Sequence, residues 1–192
     1  MTDCSQLQAA YNNTQAQLNS IPGANNPIQY CNSLYPDDLQ RYKSCLAGIR
    51  SQTYPLQQQL ALLNHEMKIC SVLLGTWNWT ISFTDMIGIS HQVTQTLQIT
   101  SWDTTGNWTG TLISTEDTAE SETTAVPGTN GSASLDETSL LFGFTVFPDG
   151  IMGPYLHYIG HLNMQMNPPV IDQAYFTDSS GTLQSFVATK IV

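Results

Sequence analysis

Positive charge is scarce in this sequence. Of its five cations, Arg41, Lys43, Arg50 and Lys68 lie within the first seventy residues, and from Ser71 onward Lys190 stands alone among eleven carboxylates. A net charge of −10 leaves no basic patch for a phosphate backbone or an anionic lipid surface, so nucleic acid and membrane partners are not expected. Charged residues of both signs make up only 10% of the chain, which leaves Ser, Thr, Asn and Gln to keep it in water. No apolar run approaches the roughly 20 residues that span a bilayer, so no membrane insertion is expected. No secretory signal is read at the start, where "MTDCSQLQ" has the character of a mature chain with an added Met. A zinc-type CxxC pair, a Gly-rich phosphate loop and a nucleophile elbow are missing too. Nothing in the residues supports an enzyme, a cofactor or a metal centre.

Cysteine is missing from everything beyond Cys70. Cys4, Cys31, Cys45 and Cys70 all fall in the first seventy residues. An even number in so short a segment predicts two disulfides and an oxidising compartment, secreted or periplasmic. The sequons at Asn12, Asn78, Asn107 and Asn130 agree with such a location. Four buried thiols in a cytosolic protein are the plain alternative.

What is present divides the chain in two. Cys4, Leu7, Tyr11, Thr14 and Leu18 recur at helical spacing, as do Leu39, Tyr42, Leu46 and Ile49, and then Leu56, Leu60, Leu63, Met67 and Cys70. "IPGANNP" (21–27) reads as a loop, and Pro55 suits the start of a third helix. Residues 1–73 are therefore expected to form a disulfide-linked helical hairpin or three-helix segment. Three pairings of the cysteines are possible. An up-down-up bundle places Cys4 and Cys45 towards one end and Cys31 and Cys70 towards the other, which favours joining them that way.

Beyond Leu74 the punctuation becomes turn chemistry. "DTTG" (103–106) and "DSSG" (178–181) each open with Asp and close with a Gly suited to the left-handed position, and "NG" (130–131) and "PDG" (148–150) mark further turns. Strand-like runs occupy 76–85, 91–102, 107–115, 118–126, 132–138, 139–147, 154–166, 170–177 and 182–191. Eight or nine consecutive strands with short turns and no helix between them predict an eight-stranded antiparallel up-and-down β-barrel over 74–192. The fold class is thus α+β, helices first and barrel after.

Strict alternation assigns the faces. "GTWNWTISFTD" (75–85) puts Trp77, Trp79, Ile81 and Phe83 on one side and Asn78, Thr80, Ser82 and Thr84 on the other. Trp108, Gly110, Leu112 and Ser114 share a face of the third strand, and Leu156, Tyr158, Gly160, Leu162 and Met164 share a face of a later one. In the last strand Phe186, Ala188 and Lys190 fall opposite Val187, Thr189 and Ile191, and pattern alone leaves the inward side open. Few hydrogen-bonding groups join this aromatic lining: Ser114, Tyr158 and Tyr175. His157 and His161 share a strand face about 13 Å apart, too far to chelate one ion, and read as exposed histidines.

These motifs, in order, resemble the avidin and streptavidin family: "GTW" in the first strand, "GNWTGTLIS" (106–114) in the third, "GFTV" (143–146) in a middle strand and "ATKIV" (188–192) at the end. "GTW" with a terminal-strand cation is also similar to the signature of the wider calycin group. That resemblance implies that Trp77 packs at the closed end of the barrel with Lys190 laid over its ring, an arrangement that suits a cation. It covers about 74–192 and leaves the helices unexplained. The family's ureido-binding positions fall here on Trp79, Phe83, Leu112, Ser114 and Phe186, of which only Ser114 keeps a polar role. The Trp-rich wall is replaced by Tyr158, Tyr175 and Pro148. Each missing hydrogen bond costs about 1–3 kcal/mol, so tight biotin binding is not expected.

The expected function is non-catalytic binding of a small, mainly apolar or aromatic molecule by Trp79, Ile81, Phe83, Trp108, Leu112, Ser114, Tyr158, Tyr175 and Phe186. The alternatives are a barrel filled by its own side chains and a secreted recognition or assembly protein. "SLLFGFTVF" (139–147) is apolar on both faces, and a greasy outer face predicts a cover, either a homo-oligomer or the helical segment.

Overall fold

The structure, a computed structural model, describes residues 4–84, 87–116, 121–126, 133–146, 155–178, 180–181 and 183–191. The turn signals at 130–131 and 148–150, with Pro148, lie outside those residues, as does the Phe83 side chain. The chain forms two compact units, Thr2–Lys68 and Ile69–Val192.

Three helices open the chain: α1 (Cys4–Ser20), α2 (Pro27–Leu34) and α3 (Leu39–Leu73). Leu7, Thr14 and Leu18 form the buried face of α1, as their spacing predicts. In α2, Asn26 caps the start by accepting from the Gln29 N–H, and Pro27 occupies a first-turn position where no amide donor is needed. Two expectations fail here. The helices predicted on either side of Pro55 are one continuous α3, while the short α2 was not anticipated. Proline removes the bond to the Ser51 carbonyl, but both residues face solvent, where water satisfies the carbonyl.

That continuity also overturns the expected disulfides. The pairs are Cys4–Cys70 and Cys31–Cys45, not Cys4–Cys45 and Cys31–Cys70. Without a break at Pro55 the segment is a hairpin, not an up-down-up bundle. Cys45 lies 25 residues before Cys70 on one helix, about 37 Å away, and is left to Cys31.

The second unit is a nearly closed antiparallel barrel of the eight-stranded kind. Its strand segments are β1 (Gly75–Thr84), β2 (Ser90–Trp102), β3 (Trp108–Glu116), β4 (Ser121–Val126), the four-residue β5 (Ala133–Asp136), β6 (Leu141–Val146), β7 (Leu156–Asn163), β8 (Val170–Asp178) and β9 (Leu183–Ile191). They pair in the order β4-β3-β2-β1-β9-β8-β7-β6-β5, so the first strand meets the last. The two edges approach at one end, where Asn107 bridges Ser134 and the Leu135 N–H donates to the Gly106 carbonyl at 2.7 Å. Gly106, with φ +87°, ends the predicted Asp103 turn, and any Cβ there would lie 2.4 Å from the Leu135 carbonyl.

Alternation holds where it was assigned. Trp77, Trp79 and Ile81 of β1, Trp108 and Leu112 of β3, and Tyr158 and Leu162 of β7 are buried, and β9 turns Phe186 and Ala188 inward. It fails in β8, where Ile171 and Ala174 are both buried. The register of β8 slips against both neighbours there, and Gln173 takes φ +48°. This bulge shifts the inward side by one residue, bringing Phe176 in and turning Tyr175 out. Gly160 on β7 makes room, since a Cβ would sit 2.6 Å from Ile171 and 2.8 Å from Ala174.

The last turn of α3 belongs to the barrel unit, with Ile69 and Leu73 fully buried. Lys190 and Trp77 are cross-strand neighbours, as their shared end of the barrel requires. The Lys190 ammonium, however, is held by carbonyl oxygens of Ser71 and Val72, both at 2.7 Å, and the Trp77 indole N–H donates to the Leu73 carbonyl at 2.9 Å. The expected cover of cation over ring thus gives way to a helix end, whose unpaired carbonyls attract an ammonium more strongly than a ring face does.

Candidate functional site

Midway along the barrel four strands aim polar atoms at one point. Gln95 on β2 shares the inward parity of Leu97 and Ile99, so its carboxamide enters the core although the residue is polar. Its Oε1 accepts from the Trp79 indole N–H at 2.7 Å and from the Tyr158 hydroxyl at 3.2 Å. Its Nε2 donates to the Ser114 hydroxyl at 3.1 Å and to the Tyr158 hydroxyl oxygen at 2.9 Å. All four hydrogen-bonding positions of the amide are therefore used. Among the described residues of the barrel unit, Gln95 is the one polar residue that is buried, at 5% exposure.

Aromatic rings surround this amide. Trp79 stacks on Phe186 at 5.1 Å, and Tyr158 lies nearly parallel to Phe144 at 4.3 Å and stacks on Phe176 at 5.7 Å. Trp79 meets Tyr158 edge-on at 6.0 Å. Deeper in, Trp108 stacks on Phe142 at 5.0 Å. Tyr158 is fully buried, and burial pushes its pKa up to about 12, the hydrogen bond to Gln95 pulling the other way. Its hydroxyl stays neutral over the physiological range. The cluster is uncharged and sets aromatic faces around an amide whose donors and acceptors are all bonded within it.

Of the residues singled out from sequence, Trp79, Ser114, Tyr158 and Phe186 converge on this cluster, with Ser114 half-buried. Ile81, Trp108 and Leu112 are buried core residues elsewhere in the barrel. Tyr175 does not join them: it is 44% exposed, turned out by the β8 bulge. Sequence reasoning missed Gln95 and Phe176. Gln95 was legible in "QVTQTLQIT", where counting back from Ile99 and Leu97 lands on it. Phe176 was signalled by the adjacent polar pair Asp172 and Gln173, which breaks alternation ahead of it.

Outside the barrel, His157 bonds Thr145 at 2.9 Å, and His161 lies 3.5 Å from Asp172. Among the described residues no three His, Cys, Asp or Glu side chains converge as metal ligands. Leu141, Ile159, Tyr175, Leu183 and Val187 are exposed on the outer face.

Fold and site together define an aromatic-cored antiparallel barrel preceded by disulfide-linked helices. No protein-family model, curated protein or solved structure matches the chain.

Proposed function

We propose that the barrel is an avidin-like, non-catalytic binding module for a small, neutral, mainly aromatic molecule, in a secreted or periplasmic protein. The observation that supports this is the buried Gln95 amide. A buried carboxamide costs desolvation, and this one offsets that cost by bonding Trp79, Ser114 and Tyr158, which holds the two rings at fixed angles. A flat ligand entering among Trp79, Tyr158 and Phe186 then meets a stacking surface that is already oriented. The ordered motifs from "GTW" to "ATKIV" support the avidin-like reading, and the two disulfides support the compartment. Biotin is a poor fit: the amide edge is already committed to Trp79, Ser114 and Tyr158, and a ureido group would displace these bonds without enough replacements.

Native mass spectrometry of freshly purified protein, with tryptophan-fluorescence titrations using indole, benzamide and biotin, tests the reading. A retained small-molecule adduct, or saturable quenching by a neutral aromatic that is lost in Gln95→Leu, is expected. Absence of both, or nanomolar biotin affinity, overturns it.

The exposed outer-face residues Leu141, Ile159, Tyr175, Leu183 and Val187 favour a second reading, a homo-oligomeric recognition protein. Size-exclusion chromatography with light scattering decides it, and a monomer at all concentrations sinks it.

A further inference from the structure

The turn between α1 and α2 was read from sequence only as a loop, yet it is the wall of a concavity. Asn19, Asn25, Asn26, Gln29, Tyr30 and Ser33 line a space of about 480 Å³. That lies within the roughly 300–1,000 Å³ of small-molecule sites. Every polar side chain around it is an amide or a hydroxyl, and no Asp, Glu, Lys, Arg or His contributes. An ionic ligand would find no counter-charge here.

The site has an aromatic platform held in place by the backbone. Gly23 takes φ +78°, and a Cβ at that position would lie 2.7 Å from the Tyr30 ring. Tyr30 therefore packs directly on the glycine while remaining 36% exposed. The turn is fixed by bonds from the Ile21 N–H to Leu18 and from the Ala24 N–H to Ile21, and α2 is tied to α3 through Cys31–Cys45. A ligand thus meets a preorganised surface. Asn26 and Gln29 bond one another, and Asn19 accepts from Gln15, whereas the Asn25 carboxamide has no protein partner among the described residues.

We propose that this concavity binds a neutral saccharide. Carboxamides give and accept hydrogen bonds in pairs, which matches vicinal sugar hydroxyls. The exposed tyrosine face suits the C–H face of a pyranose ring, a contact that needs no charge. The site lies wholly in the helical unit and is independent of the barrel reading.

Amide-resolved NMR of the full chain tests it, with N,N′-diacetylchitobiose and maltose as neutral probes and galacturonic acid and glucosamine as charged ones, each to about 20 mM. Saturable shifts confined to residues 19–33 with at least one neutral disaccharide are expected. Tyr30→Ala should weaken binding about tenfold, and Asn25→Leu about threefold. Both positions are exposed, so unchanged barrel resonances in the variants establish that the fold survives. No saturable shift with either neutral probe, equal response to the charged sugars, shifts outside the turn, or wild-type affinity in Tyr30→Ala would each overturn the proposal.

Discussion

Replacing Gln95 by Leu tests the barrel core most directly. The two side chains are close in volume, so the change removes hydrogen bonds without opening a large cavity. Three partners lose their bonds: the Trp79 indole N–H, the Tyr158 hydroxyl and the Ser114 hydroxyl. Ser114 is half-buried and is rehydrated. Trp79 and Tyr158 are buried and become orphans at about 1–3 kcal/mol each. Relief from desolvating the amide offsets part of this, leaving a net loss of about 2–4 kcal/mol. Tyr158→Phe alone leaves Gln95 its bonds to Trp79 and Ser114 and costs about 1 kcal/mol. Once Leu stands at 95 the Tyr158 hydroxyl is itself the orphan, so Tyr158→Phe then becomes favourable. Urea unfolding followed by tryptophan fluorescence and far-UV circular dichroism should place the double variant about 1 kcal/mol above Gln95→Leu. If Gln95→Leu is as stable as wild type, or if the two costs simply add, the network does not hold the core together.

Three further outcomes follow from the same geometry. The Tyr158 pKa, raised to about 12 from an unfolded value of 10.0, contributes stability that is complete below pH 10 and lost as pH rises towards 12. The difference is about 3 kcal/mol, and phenolate absorbance should show one of the eight tyrosines ionising only with alkaline unfolding. Lys190→Met removes two bonds of 2.7 Å to helix carbonyls and should lower the thermal midpoint by about 3–6 °C, and an unchanged midpoint would deny the clamp. Gly160→Ala should destabilise by about 1–3 kcal/mol because its methyl meets Ile171 and Ala174. Gly48→Ala, in open space on α3, should stabilise by about 0.5–1 kcal/mol, and equal effects at the two sites would refute the packing argument.

The parts of this molecule legible in sequence are those set by periodicity over many residues. Strand runs such as 91–102 and 107–115 fall within a residue or two of β2 and β3, because a one-residue slip would expose a whole apolar face. Parity then placed Trp79, Leu112 and Tyr158 correctly. What escaped depends on single residues whose effect is decided by neighbours far along the chain. Gln173 shifts the phase of β8 only because Gly160 across the ladder leaves room for Ala174. Pro55 stops a helix when its displaced carbonyl is buried, and here it is not. The cysteine pairing followed from that one residue, since α3 as a single rod leaves only the hairpin arrangement. Gln95 was legible but unread, because a polar letter inside an apolar parity is ordinarily discounted.

The junction between helix and barrel gives the "GTW" and Lys190 motifs a different meaning from the one their resemblance implies. A helix leaves its last four carbonyls unpaired, and in α3 these belong to Cys70, Ser71, Val72 and Leu73. The Leu74 N–H bonds the first at 3.1 Å, Lys190 takes the second and third, and Trp77 takes the fourth. Gly75, at φ +122°, turns the chain into β1, and a Cβ there would lie 3.2 Å from Lys190 Cε. Glycine, tryptophan and lysine thus act together as a cap for a helix. A barrel without that helix would leave a partly buried ammonium and a buried indole N–H unsatisfied, so residues 69–73 are as much a part of the barrel as any strand. The lone cation beyond Ser71 is thus bonded to two neutral helix carbonyls.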